Sequence, residues 1–222
     1  MINALRSGDM MTIILTLFSL LVVLLVVFPV HECSHAVAAK LLGDDTAERQ
    51  GRITLNPFAH LDIMGTIGIL LLGIGWAKPV PVNPGRCRKV SQRAAMAITA
   101  AAGPMANFVS AFIFMVIMKI VMLRYISDPA PALGYVIFAL NTIIDIDLFN
   151  GVFNLLPIPP FDGSRVFFAF LPDKYYFKIM QYEQYIMIGL LILMFTGVIS
   201  IPFRFLSDAI YNLFYMATGF IC

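Results

Sequence analysis

Residues 10–42 read MMTIILTLFSLLVVLLVVFPVHECSHAVAAKLL, and this stretch decides the fold. Its first part, residues 10–30, is an unbroken apolar run of about 20 positions, the length a helix needs to cross a bilayer core. That is too long for the apolar core of a cleavable signal peptide. The run ends in His31-Glu32-Cys33-Ser34-His35, an HExxH pattern. Ionisable groups at membrane depth are costly and are functional by default. Histidines at i and i+4 share one helical face, so both imidazoles can reach one Zn²⁺, with Glu32 beside the first to polarise a water. The plainer alternative is a helix end that carries incidental histidines into the headgroup region.

The rest of the composition agrees with a chain built for a bilayer. Of 222 residues, 60% are hydrophobic and 13% charged, about half the charge of an average globular protein. The mean hydropathy is +0.87. Fifteen basic and 13 acidic side chains cannot cover the surface of a compact soluble protein of this length. A polar DNA-binding module, a disordered tail and an ordinary cytosolic enzyme are all excluded. Cys33, Cys87 and Cys222 lie far apart with no CxxC pair, so no disulfide framework is expected.

Further apolar stretches cover about 94–123, 132–156 and 185–220, the last interrupted at Ser200-Ile201-Pro202 and by Arg204 and Asp208. It reads as one bent helix or two. The expected fold is a single-domain, all-α polytopic membrane protein, a bundle of about four to six transmembrane helices. Between the first two spans, residues 43–93 are mixed. They open polar (GDDTAERQGRITLNPFAH), turn apolar over 61–76, and close with AKPVPVNPGRCRK. The apolar part contains Gly65, Gly68, Gly73 and Gly75 and is short for a span. Non-helical backbone at membrane depth needs protein or a water cavity around it. Alternation in GRITL and KPVPV predicts a small membrane-embedded β-hairpin, with the prolines on an edge, beside a re-entrant segment.

A catalytic zinc usually takes three protein ligands and keeps one position open. The strongest candidate for the third is Asp162, at the end of residues 154–163, NLLPIPPFDG. Pro157, Pro159 and Pro160 cannot sustain a helix, and Gly163 permits a tight turn. Competitors are Asp145, Asp147, His60 and Asp62. The first two read otherwise as a hydrogen-bonded polar pair facing the bundle, the last two as a loop turn and a helix cap.

Together these motifs resemble the site-2 protease family of intramembrane zinc metalloproteases. The resemblance rests on HExxH in the first span, on AGPMAN at 102–107 and on FNLLPIPPFDG at 153–163. LNPFAHLDIMG and GWAKPVPVNP resemble the short prokaryotic members. It covers roughly residues 30–170. It implies His31, His35 and Asp162 as zinc ligands, Glu32 as the base, and Asn154 as a holder of extended substrate backbone. Gly103, Pro104 and Asn107 would support the site or bind substrate. Asn107 otherwise reads as an interhelical hydrogen bond. No PDZ- or CBS-like segment is visible. Asp145 and Asp147 depart from the family, where a neutral amide is more expected.

The metal also constrains topology. His31 lies toward the C-terminal end of the first span and Asp162 just past the end of the third, so both spans end on one side. Residues 43–93 must then leave and return on that side, and 61–76 should be re-entrant. Ten Lys and Arg fall on the active-site side, among them Arg49, Arg52, Lys78, Arg86, Arg93, Arg165, Lys174 and Lys178, against Arg6 and Arg124 opposite. The positive-inside rule turns the active-site mouth to the cytoplasm. The expectation is a multi-pass, prokaryotic cell-membrane zinc metalloprotease that cuts transmembrane protein substrates within the lipid bilayer, in regulated intramembrane proteolysis. No nucleic-acid partner is expected. A metal transporter would need alternating access and often repeat symmetry, and no repeat is visible; an inactive scaffold would not need HExxH with Asp162.

Overall fold

The computed structural model describes residues 8–72, 75–171, 181–182, 185–186, 188–190, 193 and 200–221. Among them seven α-helices form: α1 (Met10–Leu42), α2 (Thr46–Arg49), α3 (Ile63–Leu72), α4 (Gln92–Ser127), α5 (Pro131–Asn154), α6 (Asp162–Phe168) and α7 (Ser200–Ala217). α1, α4 and α5 are long and apolar enough to cross a membrane. The fourth expected span falls largely outside the described residues, as do Lys174 and Lys178; its end is α7. So three spans, rather than four to six, are seen among the described residues.

Local chemistry explains where the helices begin and end. The Asp9 carboxylate caps α1 by accepting from the Met11 and Thr12 N–H groups. Gly43, at φ 106°, ends α1 in the left-handed conformation that glycine tolerates. Inside α1, Val23–Val27 widen into a π-helical turn just before Pro29. The Phe28 N–H reaches back to the Val23 carbonyl, and Pro29 has no N–H to continue the ladder. Such a turn re-phases a helix. Val23, Leu24, Val27, Phe28, His31 and His35 all end up buried on the bundle side.

The bundle packs α1 and α4 together and lays α5 along both. One apolar cluster joins Leu20, Val23, Leu24, Val27 and Phe28 of α1 to Ile69 of α3 and Ile143 of α5. A second joins Ala111, Met115 and Met118 of α4 to Ile144 and Leu148 of α5, with Ile210, Tyr211 and Phe214 of α7 against it. The Lys119 ammonium, buried in α4, lies 3.3 Å from the ring centre of Tyr215 on α7. That cation–π contact stands in for the water this charge has lost.

The 43–93 segment differs from expectation. No strand forms among the described residues; the anticipated β-hairpin is a single antiparallel bridge, Leu61 to Ala77. The reason lies in the prolines. Pro79 and Pro81 have no N–H to donate; the Lys78 N–H makes the bridge bond to the His60 carbonyl, but the next free amide, that of Val80, turns to the Glu32 carboxylate and the ladder stops there. The bridge nevertheless places entry and exit of the apolar segment side by side. α3, ten residues or about 15 Å long, is shorter than the length a bilayer crossing needs. Gly65 and Gly75 let the two limbs touch: a Cβ on Gly75 would run into the Gly65 backbone, and one on Gly65 into the Trp76 backbone.

Candidate metal centre

His31 and His35 stand one turn apart on the buried face of α1. Their Nε2 atoms are 3.1 Å apart. Asp162, the first residue of α6, comes in from the far side, its Oδ2 3.3 Å from His31 Nε2 and 3.2 Å from His35 Nε2. Among the described residues this is the one group of His, Cys, Asp and Glu close enough to hold a metal ion.

The protons of the two imidazoles are accounted for. His35 Nδ1 donates to the Thr99 carbonyl at 2.7 Å, and a carbonyl can only accept. His31 Nδ1 faces Asn107 Oδ1 at 2.5 Å, where it donates in the same way. With Nδ1 donating, the neutral form of each ring presents a bare Nε2 lone pair toward the other ring and toward a carboxylate oxygen. Three such acceptors converging in a buried pocket suit a cation between them. Ligand bonds of about 2.0–2.1 Å in a tetrahedral zinc shell put neighbouring donors about 3.3 Å apart, which is the spacing here. The residues fit the metal.

α4 shapes the site from behind. A Cβ on Gly103 would lie 2.7 Å from His31 Cε1 and 2.5 Å from His35 Cε1, so glycine is needed for both rings to fit. The next residue, Pro104, cannot bond to the Ala100 carbonyl, which loosens the turn from which Thr99 faces His35. Asn107 is buried, and its amide nitrogen reaches the Asp147 carbonyl at 3.4 Å. The Asp147 carboxylate sits behind it and accepts from the Ser110 hydroxyl.

Glu32 is buried beside His31, and its Oε2 accepts from the Val80 N–H at 3.0 Å. The metal-site residues line a cavity of about 1060 Å³ together with Glu32, Val80, Asp145, Asn150 and Asn154. Asn154 Nδ2 donates to Asn150 Oδ1 at 3.2 Å, so the two carboxamides form one pair on the α5 wall. Asp162 is delivered by the Pro-rich turn at 155–161. Gly163 matters there for close packing, since a Cβ would strike the Leu155 carbonyl.

The competing ligands go elsewhere. Asp145 bonds to Asn141 on its own helix and lines the cavity. Asp62 caps α3 through the Gly65 N–H. His60 is fully buried, its Nε2 donating to the Thr54 carbonyl at 2.8 Å and its Nδ1 facing Arg52. Three features escaped the sequence: Asn150, the Val80 amide and the buried Arg52. Asn150 stands one turn before Asn154, and that spacing was a usable signal.

A family model described as "Peptidase family M50" matches residues 19–196. The chain is 41% identical over 178 residues to the Bacillus subtilis (strain 168) protein named "Putative zinc metalloprotease YwhC", covering 80% of each. It is 31% identical over 138 residues to the Mycolicibacterium smegmatis protein named "Putative zinc metalloprotease Rip2", covering 60% of this chain and 49% of that one. No solved structure matches.

Proposed function

The chain belongs to peptidase family M50, the site-2 protease family, and on that premise we propose that it cleaves transmembrane segments of membrane proteins at the His31–His35–Asp162 centre. It is a multi-pass membrane zinc metalloendopeptidase. The observation that carries the finer reading is the convergence of two bare imidazole nitrogens and a carboxylate oxygen within one buried pocket.

His31 and His35, through Nε2, and Asp162, through Oδ2, hold the zinc. Bound there, the ion supplies Lewis acidity toward a peptide carbonyl and makes a nearby water more acidic. Glu32 accepts the proton of the attacking water and passes it to the leaving amine. Asn107 and the Thr99 carbonyl keep both histidines in the tautomer that leaves Nε2 free. An intact helix keeps its carbonyls hydrogen-bonded, so the substrate has to be unwound before it is cut. Asn154, on the cavity wall, bonds to the extended backbone. Strand addition belongs to the 43–60 side, because the N–H groups of Lys78 and Val80 and the carbonyls of Lys78 and Pro79 are already engaged.

The cavity mouth faces the cytoplasm of a prokaryotic cell, on the weight of basic residues around it, and the role is in regulated intramembrane proteolysis. Arg52 does not count toward that weight, being buried. The test uses protein purified in detergent and a single-span reporter whose transmembrane segment carries a helix-breaking Asn-Pro pair. Asp162→Ala is expected to lose zinc and cleavage together. Glu32→Gln is expected to keep zinc and lose cleavage. Wild-type cleavage by either variant would sink this reading.

A further inference from the structure

Arg52 is 5% exposed, and the ion pairs found among the described residues do not include it. Its Nη2 donates to the Lys78 carbonyl at 2.5 Å and its Nη1 to the Pro79 carbonyl at 3.1 Å, while Nε is buried with no partner. A charge taken out of water without a carboxylate at contact distance is costly. Holding two consecutive carbonyls is a geometric task that the planar fork of an arginine performs and a lysine does not. The neighbouring bonds tighten the same loop. His60 lies 3.5 Å from Nη2, and its own carbonyl accepts from the Lys78 N–H at 2.7 Å.

The residue after those two carbonyls is Val80, whose N–H meets Glu32 Oε2 at 3.0 Å. Pro79 and Pro81 flank it, so this is the one backbone donor in the tripeptide, held on a stiff backbone. Its side chain is packed on Ala36 and Ala47. The chain of contacts runs from guanidinium to carbonyls to amide to carboxylate. Burial pushes the Arg52 guanidinium down, and the negative charge of Glu32 offsets part of that.

We infer that Arg52 is a positioning residue for Glu32, acting through the backbone of residues 78–80 to hold the Val80 N–H against one carboxylate oxygen. The other oxygen is thereby left free for the water it deprotonates. The contact orients the base and does not block it. This rests on Glu32 being the base, so Glu32→Gln is run in parallel. If Glu32→Gln cleaves normally, the functional reading fails; if it is inactive while the variants below behave as wild type, this inference alone fails.

The test joins amide exchange to kinetics on the full chain in detergent, with the same Asn-Pro reporter. Val80 exchange is expected to speed up at least about tenfold in Arg52→Met and in Glu32→Ala. It should stay slow in Glu32→Gln, which keeps an acceptor oxygen. Arg52→Met and Val80→Pro, which removes the donor between two prolines, are each expected to lower kcat about tenfold with KM within about twofold and zinc content unchanged. The double variant should be no slower than the slower single one, since both break one chain of contacts. Unchanged Val80 exchange in Arg52→Met overturns the inference. So does a wild-type or raised kcat in Val80→Pro, or a multiplied loss of about a hundredfold in the double variant. Should Val80→Pro not fold, exchange in Arg52→Met and Arg52→Lys decides, with Lys expected between wild type and Met.

Discussion

His31 Nδ1 donates to Asn107 Oδ1 across 2.5 Å, joining the first histidine of α1 to the middle of α4. The bond fixes the tautomer of a ring whose other nitrogen faces the metal position. Partners of this kind are worth about 10–100-fold in metal affinity. Asn107→Leu is therefore expected to weaken zinc binding by about that factor, while Asn107→Asp, which keeps an acceptor, holds most of it. Competition with a chelator of known affinity measures this. Equal zinc affinity in Asn107→Leu would mean that the bond only joins helices.

Gly103 offers a steric version of the same test. A Cβ there would lie 2.5 Å from His35 Cε1 and 2.7 Å from His31 Cε1, so one methyl displaces both rings. Gly103→Ala is expected to reduce zinc affinity and cleavage by at least about tenfold, while α4 gains helix propensity from the alanine. Zinc stoichiometry beside a far-ultraviolet helix signal separates the two effects. Full zinc content in a well-folded Gly103→Ala would show that the rings have room to move.

Sequence and structure agree where one element carries the information. The HExxH of α1 was legible because helical periodicity alone puts His31 and His35 on one face. The Pro-rich break marks Asp162 because it ends α5 at Asn154 and starts a new helix at a polar residue. Parity between spans led to a re-entrant reading of 61–76, and the structure adds a short helix there and the Leu61–Ala77 bridge. What stayed hidden depends on contacts between distant segments. Arg52 counted as a topology charge because its burial depends on carbonyls 26 and 27 positions away. The KPVPV alternation suggested a strand, but its prolines lack a donor and the Val80 amide turned to Glu32, which left one bridge. Asp147 had no visible role because Ser110 and Asn107, which engage it, sit on another helix.

Asp44, just past the end of α1, is a buried residue whose carboxylate ties the 83–86 turn to the start of α2. It accepts from the Asn83 N–H at 2.6 Å and from the Thr46 N–H at 3.0 Å. Burial pushes the Asp44 carboxyl up, but these bonds, that from the Thr46 hydroxyl and the nearby Arg86 charge hold it below the usual range. A depressed folded-state pKa stabilises the fold above the unfolded value, about 3.9, and that stabilisation is lost as pH falls through the folded value. Melting temperature in detergent is expected to drop more steeply below about pH 4 in the wild type than in Asp44→Asn, which cannot ionise. Asp44→Ala should cost about 1–3 kcal/mol at neutral pH by leaving the Asn83 N–H without its acceptor. Parallel acid slopes in wild type and Asp44→Asn would remove Asp44 from the account.

Asn150 and Asn154 stand one turn apart on the cavity wall, and their carboxamides are paired through Asn154 Nδ2 and Asn150 Oδ1 at 3.2 Å. That pairing uses one donor and one acceptor and leaves Asn154 Oδ1 and Asn150 Nδ2 for a ligand. An extended peptide offers a complementary N–H and C=O, so the pair can grip an unwound substrate at two points where Asn154 alone would grip at one. Each bond is worth about 0.5–1.5 kcal/mol net, so Asn150→Leu and Asn154→Leu are each expected to lower kcat/KM by about two- to tenfold, with zinc content unchanged. Because Asn150 also orients Asn154, the double variant should fall short of the product of the two single losses. Kinetics on the Asn-Pro reporter, with metal content measured on the same samples, checks both points. Loss of zinc in Asn154→Leu would place that residue in the support of the Asp162 turn and take it out of substrate binding.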